Sequence, residues 1–273
     1  MDWETLLTRE AGEAPLDWFT RIGTRLLNGA ALHVGREPHR LVEIEFYYYS
    51  EDHPDAFAHR DAIQLLRGRW YFHRTRGTYR GGSFKGIDLA FGDGTAHAGV
   101  LFRGLEASDG TLTDGPSLLV DSLLDKTGAE SVAQLDGAIG EQLAWEERNP
   151  LRLEWLGDVS DRPIYTCARV GLSLKKAAES KGMPDYIVNR YRFMTEPRRT
   201  AKGKPHLVLS LIADGAEPEE ITKLTGCPLA SVKRYKADYD GGREETKVEP
   251  YIGVDLGTKE LCRLHGLIHA RSS

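Results

Sequence analysis

The chain has 273 residues, 40% of them hydrophobic and 28% charged, with a formal net charge of −5. That is an ordinary globular composition, long enough for one large domain or for a domain of about 200 residues plus a small one. Its apolar runs fall well short of the roughly 20 residues needed to cross a bilayer. Its cysteines, Cys167, Cys227 and Cys262, are widely spaced and odd in number, which argues against a disulfide framework. The start Met1-Asp2-Trp3-Glu4 lacks the basic and apolar stretches of a signal peptide, so the expected setting is cytoplasmic, with no membrane partner.

In chain order, residues 16–29 carry apolar groups at helical spacing, with Asp17 as the expected cap. Leu41 to Tyr49 alternates and is rich in β-branched and aromatic residues, which predicts a strand. Period two puts Glu43, Glu45, Tyr47 and Tyr49 on one face and Val42, Ile44, Phe46 and Tyr48 on the other. Trp70 to Gly92 predicts one or two short strands around a glycine-rich tip. Ala98 to Leu105 predicts a strand with Arg103 embedded among apolar residues. Gly115-Pro116 opens a helical pattern, because a proline at the first turn costs no hydrogen bond. Short strands are expected at Leu151–Leu156 and Ile164–Val170. Strands and helices mix without regular βαβ alternation, which predicts an α+β fold rather than a doubly wound sheet.

Thr195 to Pro205 is proline-containing and basic, and it predicts a linker or a surface arm. Three helices are expected after it: His206–Ala213, then Pro218–Gly226 with a proline start and glycine stop, then Leu229–Lys236. The short turn before the last one, with Lys233 and Arg234 on it, is a helix-turn-helix layout with a basic recognition helix. The tail is polar until Tyr251-Ile252-Gly253-Val254, where a returning strand is expected. Cys262, His265 and His269 have some metal-like spacing, but a fourth ligand is not evident. No Walker loop is present, and the glycine-rich hairpin lacks the context of a dinucleotide-binding turn.

Charge is segregated. Met1 to His59 holds 5 basic and 11 acidic residues, whereas 62–87 holds 6 basic and none acidic. Residues 105–161 hold 3 basic against 13 acidic, and 162–204 hold 11 against 3. Two basic blocks on an acidic chain either converge on one positive face for a polyanion or form two unrelated solvated patches.

Four pieces taken together carry a resemblance: Glu43-Ile44-Glu45-Phe46-Tyr47, Ala58-His59-Arg60, Val100 to Glu106, and Arg169-Val170-Gly171-Leu172. With Gly115-Pro116 and Tyr191-Arg192-Phe193, and over roughly residues 35 to 195, they resemble the alkyladenine (3-methyladenine) DNA glycosylase family in order and spacing. The resemblance implies a single mixed domain with a curved, mostly antiparallel sheet over 1–200; the helical pattern beyond it predicts a helix-turn-helix-like segment at 201–242 and a tail at 243–273. It implies that Glu45 activates the attacking water and that Arg103 and the Val170 carbonyl hold that water. Tyr47 and His59 would contact the flipped base. Arg74, Arg76, Arg80 and Arg192, with Lys233 and Arg234, would meet DNA. The chemistry agrees: hydrolysing an N-glycosidic bond needs a carboxylate to deprotonate water and an aromatic slot for a base taken from the stack.

The sequence also departs from the family pattern. The family's aromatic wedge falls at Phe84 or Lys85, and a pocket aromatic falls on Gly82, which points to a bulkier base than a methylated purine. The expected partner is therefore double-stranded DNA holding a modified or damaged base, in base-excision repair or in defence against a phage with hypermodified bases. No metal or cofactor is expected. Taken singly, each residue has a plainer reading: Glu45 as a charge on a solvated strand, Tyr47 as a strand aromatic, His59 as packing. Arg103 resists that reading, since a buried arginine needs a carboxylate partner, here Glu45 or Glu43. The alternatives are a non-catalytic DNA-binding protein or regulator of the same fold, or an RNA-directed protein.

Overall fold

The computed structural model describes residues 2–175 and 183–272. The chain is mixed α+β, with an antiparallel sheet and several helices. Its contacts divide it into two compact units, the first formed by Met1–Pro54, Ala58–Ile164 and Phe193–Thr195 and the second by Asp55–Phe57, Tyr165–Arg192 and Glu196–Ser273. This differs from the division at residues 200 and 242 read from sequence, because 165–192 group with the C-terminal helices.

The first unit begins with α1 (Trp3–Leu7) and α2 (Pro15–Gly29). Pro15 opens α2 and Ala14 takes the N-cap position, so Asp17 is not the cap. It sits in the first turn, where a carboxylate favours the helix dipole. The strands are β1 (Ala30–Val34), β2 (Glu37–Tyr49), β3 (Arg67–Phe72), β4 (Arg74–Thr75) and β5 (Thr78–Tyr79). They continue with β6 (Ile87–Phe91), β7 (His97–Ala107), β8 (Leu112–Asp114) and β9 (Leu151–Trp155). Helices α3 (Pro116–Thr127) and α4 (Val132–Ile139) lie between β8 and β9. The sheet runs β2–β7–β6–β3 with antiparallel registers, and β1 joins β2 to β9.

The two faces of this sheet differ, as alternation requires. Ile44, Phe46 and Tyr48 of β2 turn to α2, where Phe19 stacks on Phe46 at 4.7 Å between ring centres. Trp18 meets Phe91 edge-on at 4.9 Å, and Trp70 meets Phe102 at 5.3 Å. Packed aromatics of this kind supply most of a core's hydrophobic stabilisation. The opposite face carries the polar side chains described below. Elsewhere in this unit Trp3 stacks on Trp155 at 3.7 Å, and Trp145 covers Gly68.

The second unit contains β10 (Tyr165–Cys167), α5 (Met183–Tyr186), α6 (Lys204–Ala213), α7 (Pro218–Thr225), α8 (Leu229–Arg243) and α9 (Thr258–Ser272). Between the units in sequence lies β11 (Arg192–Met194), whose Phe193 and Met194 belong to the first. One core joins Val208, Leu209, Ile212, Ile221, Val232, Tyr239 and Cys262; another joins Leu174, Ile187, Tyr251, Leu264 and Leu267. Arg169 and Asp55 form an ion pair at 2.6 Å with both side chains fully buried. Helices α8 and α9 cross closely: a Cβ on Gly242 would lie 2.0 Å from the Arg263 carbonyl, and one on Gly266 would lie 2.0 Å from that of Tyr239.

One expectation is corrected here. Tyr251–Val254 is no strand: a 3₁₀ turn over Glu249–Tyr251 leads into α9. Cys262 lies in an apolar core, while the His269 ring bonds the Tyr239 hydroxyl. Among the described residues no group of three acidic, histidine or cysteine side chains is disposed to hold a metal.

Gly68 has φ +74°, and a Cβ there would lie 2.3 Å from the Trp145 ring. Gly68→Ala combines left-handed strain with overpacking, about 2 kcal/mol together. It should lower the thermal midpoint by about 4–8 °C, read by calorimetry; an unchanged midpoint would contradict this packing of Trp145.

Candidate functional site

The polar face of the first unit's sheet is built from register. Glu45 on β2 pairs with Leu101 on β7, and Leu101 pairs with Asp88 on β6. Tyr71 on β3 pairs with Asp88 in turn. Residues paired directly across antiparallel strands point to the same side, so Glu45, Leu101, Asp88 and Tyr71 form one row. Two strand spacings, about 10 Å, separate the β2 and β6 positions.

At the β2 end, the β2–β7 register shifts around Glu43. Such a bulge re-aims side chains, and here both Glu43 and Glu45 reach Arg103. Arg103 Nε donates to Glu43 Oε1 at 2.7 Å and lies 3.3 Å from Glu45 Oε1, while Nη1 donates to Glu45 Oε2 at 3.5 Å. The Tyr47 hydroxyl donates to Glu45 Oε2 at 2.9 Å. Both carboxylates are fully buried and Arg103 is 4% exposed. Burial disfavours the guanidinium's charge, but Glu45 and Glu43 outweigh it, so Arg103 holds its proton more tightly than usual. Arg103 therefore has both of the partners considered from sequence.

At the β6 end, Asp88 Oδ1 meets His73 Nε2 at 2.8 Å, and Oδ2 accepts from the Gln64 amide at 3.0 Å. Gly99 of β7 makes room for them, since a Cβ there would lie 2.7 Å from Asp88 Oδ2 and 2.8 Å from Gln64 Nε2. Gly99 pairs with Tyr47. The His59 Nδ1 and the Tyr71 hydroxyl lie 3.3 Å apart, and the His59 and His73 rings meet edge-on at 4.4 Å. Burial, reinforced by the neighbouring His73, lowers the His59 pKa to about 4. Burial raises the Tyr71 hydroxyl to about 12. His59 is thus a neutral imidazole at physiological pH. Sequence reasoning had found His59 but missed Tyr71, His73, Asp88 and Gln64. The available signal was a carboxylate inside the apolar run Ile87-Asp88-Leu89, the same kind of anomaly that marked Arg103.

The glycine-rich tip is ordered by two tethers. Ser117 Oγ donates to the Gly82 carbonyl at 2.7 Å, and Lys85 Nζ pairs with Asp121 at 2.5 Å. Phe84, between them, is 73% exposed. Gly82 has φ +56° with open space where a side chain would project. Arg74 is engaged by Asp136 at 2.7 Å and by the Tyr79 hydroxyl at 3.0 Å. Arg76 is exposed at the two-residue hairpin turn, and Arg80 Nε donates to Thr75 at 3.0 Å.

In the second unit, Lys233 and Arg234 are exposed on α8, with Lys233 3.4 Å from Glu219. Val170 is half-buried there, beside Arg169. Arg192 is a correction. Expected at DNA, it is 1% exposed and donates to the Lys202 and Gly203 carbonyls at 2.7 and 3.1 Å, so its guanidinium holds a loop rather than a phosphate.

No known protein-family model matches the chain. It is 33% identical over 175 residues to "Uncharacterized protein L759" of Acanthamoeba polyphaga mimivirus, an alignment covering 58% of this chain and 80% of the viral one. The chain belongs to the same family as that viral protein.

The low pKa of His59 has a consequence for stability. The unfolded chain takes up this proton as pH falls below 6.5, the folded one only near 4. The His59 contribution to stability is therefore complete above pH 6.5 and is lost as pH falls towards 4. Urea midpoints measured across that window should fall less steeply with acidification for His59→Gln than for the unaltered chain; parallel curves would contradict the burial of a neutral His59.

Proposed function

We propose that the chain is a monofunctional DNA glycosylase of the alkyladenine type. The observation that carries this reading is the Glu45 carboxylate, fully buried and held by Arg103 and the Tyr47 hydroxyl on the polar face of a sheet. A buried carboxylate oriented by a guanidinium and a hydroxyl is equipped to take a proton from water and to face the positive charge that develops on the sugar. A strand position needed only for packing has no use for such a group, because apolar residues of the same volume are as stable or more so.

In this reading, a base flipped from the duplex is held against Tyr47 and His59. Glu45 deprotonates a water, whose oxygen attacks C1′ as the bond to the base nitrogen breaks. Arg103 holds Glu45 oriented through the contacts described above. Phe84 is the favoured wedge, because it projects into solvent whereas Lys85 is tied to Asp121. The absence of a side chain at Gly82 suits a bulky or hypermodified base, excised in repair or in defence against phage. Helices α7 and α8, joined by the short link Gly226-Cys227-Pro228, act as a helix-turn-helix that places Lys233 and Arg234 at DNA phosphates.

The test is a panel of duplexes holding alkylated, deaminated and bulky modified bases, incubated with the protein and then cleaved by alkali at abasic sites. Cleavage is expected on at least one substrate, and Glu45→Gln should slow it by about 10²–10⁴-fold while DNA affinity stays near that of the unaltered protein. Full activity in Glu45→Gln would remove Glu45 from the base role. No cleavage on any duplex, with tight salt-dependent binding retained, would instead favour a non-catalytic DNA-binding protein.

A further inference from the structure

The second unit gathers positive charge around the turn between α7 and α8. Residues 197–213 carry Arg198, Arg199, Lys202 and Lys204 with no acidic residue, and 221–237 carry Lys223, Lys233, Arg234 and Lys236 with none, in a chain of net charge −5. The fold brings these two runs together. Arg198 Nη1 donates to the Lys223 carbonyl at 3.0 Å, and Lys204 Nζ donates to the Thr225 carbonyl at 2.9 Å. Both carbonyls lie in the last turn of α7, where the helix dipole favours cations. In the turn itself, burial raises the Cys227 thiol while the charges of Lys204 and Arg234 act against it, which places both cations near that thiol.

Helix capping accounts for Arg198 and Lys204 but not for their neighbours. Arg199 and Lys202 are exposed beside them, and Lys223, Lys233 and Arg234 are exposed on the helices. Glu196 lies 3.9 Å from Arg199 and Glu219 lies 3.4 Å from Lys233, solvent-facing contacts of little energetic value. Like charges gathered on one surface repel each other and weaken the fold, so stability gives no reason for the arrangement. The segment bearing Arg199 and Lys202 is also held in place. Lys204 Nζ donates to the Pro197 and Arg198 carbonyls at 2.7 and 3.2 Å, and the buried Arg192 grips the Lys202 and Gly203 carbonyls. The arm's cations are therefore placed before any ligand arrives, which lowers the entropic penalty of binding one. On α8 the exposed face is Ala230, Lys233, Arg234 and Ala237, neighbours at helical spacing. Two methyl side chains flanking two cations let that helix sit deep in a groove lined by phosphates, as the major groove of DNA is.

Resting on the helix-turn-helix of the proposed function, we propose that residues 198–202 form a second DNA-contacting element: with α8 in the major groove of a duplex, Arg199 and Lys202 hold the sugar-phosphate backbone beside it. Contacts of this kind fix register and orientation, carry no base-sequence information and weaken steeply with salt. Arg198 and Lys204 are positioning residues, because they tie the arm to α7 through carbonyls.

The experiment is fluorescence anisotropy with the full chain and labelled, undamaged duplexes: two unrelated DNA sequences and one RNA duplex, from about 50 to 200 mM KCl. It compares the unaltered chain with the double variant Arg199→Ser, Lys202→Ser and with the charge-conserving Arg199→Lys, Lys202→Arg. A control pair, Lys175→Ser with Lys247→Ser, removes two exposed cations elsewhere in the second unit. Each protein is checked for an unchanged thermal midpoint. The unaltered chain should prefer DNA, since the major groove of an RNA duplex is too deep and narrow for a helix. The slope of log affinity against log salt should become shallower by about 2 in Arg199→Ser, Lys202→Ser, equally on both DNA sequences. The conservative pair and the control pair should keep the full slope. An unchanged slope in Arg199→Ser, Lys202→Ser, or the same change in the control pair, would overturn the arm and leave the helix-turn-helix standing. Tighter binding of the RNA duplex would overturn DNA as the arm's partner. No salt-dependent binding of any duplex would overturn the helix-turn-helix reading and this inference with it, while base release from the modified-duplex panel would still decide the glycosylase reading separately.

Discussion

Arg103 on β7 sits between two fully buried carboxylates, Glu43 and Glu45, and much of the first unit is arranged around that contact. Three charges taken from water would each cost several kcal/mol if left unpaired. The shift in register around Glu43 offsets this cost by turning both carboxylates towards one guanidinium, and the Tyr47 hydroxyl adds a further bond to Glu45. The cluster is tolerable only because the opposite face of the same strands is apolar and stacked on α2. Phe46 lies against Phe19, so the sheet stays rigid beneath the charges.

That division of faces also fixes what the polar row holds. From Glu45 the row crosses Leu101 to Asp88 and Tyr71, with Gly99 alongside making space for Asp88 and Gln64. One end presents a carboxylate beside an arginine, and the other presents imidazoles and a phenol. The tip carrying Phe84 is a separate device, held to α3 by Ser117 and to Asp121 by Lys85.

Much of this was legible in the sequence wherever a local pattern controls the outcome. The alternation of Leu41–Tyr49 and the spacing of Trp18, Phe19, Ile22 and Leu26 specify β2 and α2, because each buries one face. Arg103 stood out because an arginine among apolar strand residues needs a partner. Asp88 carried the same signal but lay in a short, glycine-flanked run, and its partners His73 and Gln64 come from other segments. Arg192 looked like a DNA contact because charge in a sequence says nothing of burial; the carbonyls of Lys202 and Gly203 that engage it lie on a loop ten residues on. Helix α9 was missed because Gly266 interrupts its pattern, and that glycine is needed for the close approach to α8. The bulge at Glu43 is a matter of pairing between strands, which a single strand's pattern does not encode.

The central claim is that Glu45 does chemistry while its neighbour Glu43 serves the fold, although both are buried on the same arginine. The direct measurement compares Glu43→Gln with Glu45→Gln in urea unfolding and in single-turnover release of a modified base. The account predicts similar losses of stability, with release slowed about 10²–10⁴-fold in Glu45→Gln alone. Equal slowing in both variants would mean that the cluster is structural and that the chemistry, if any, lies elsewhere.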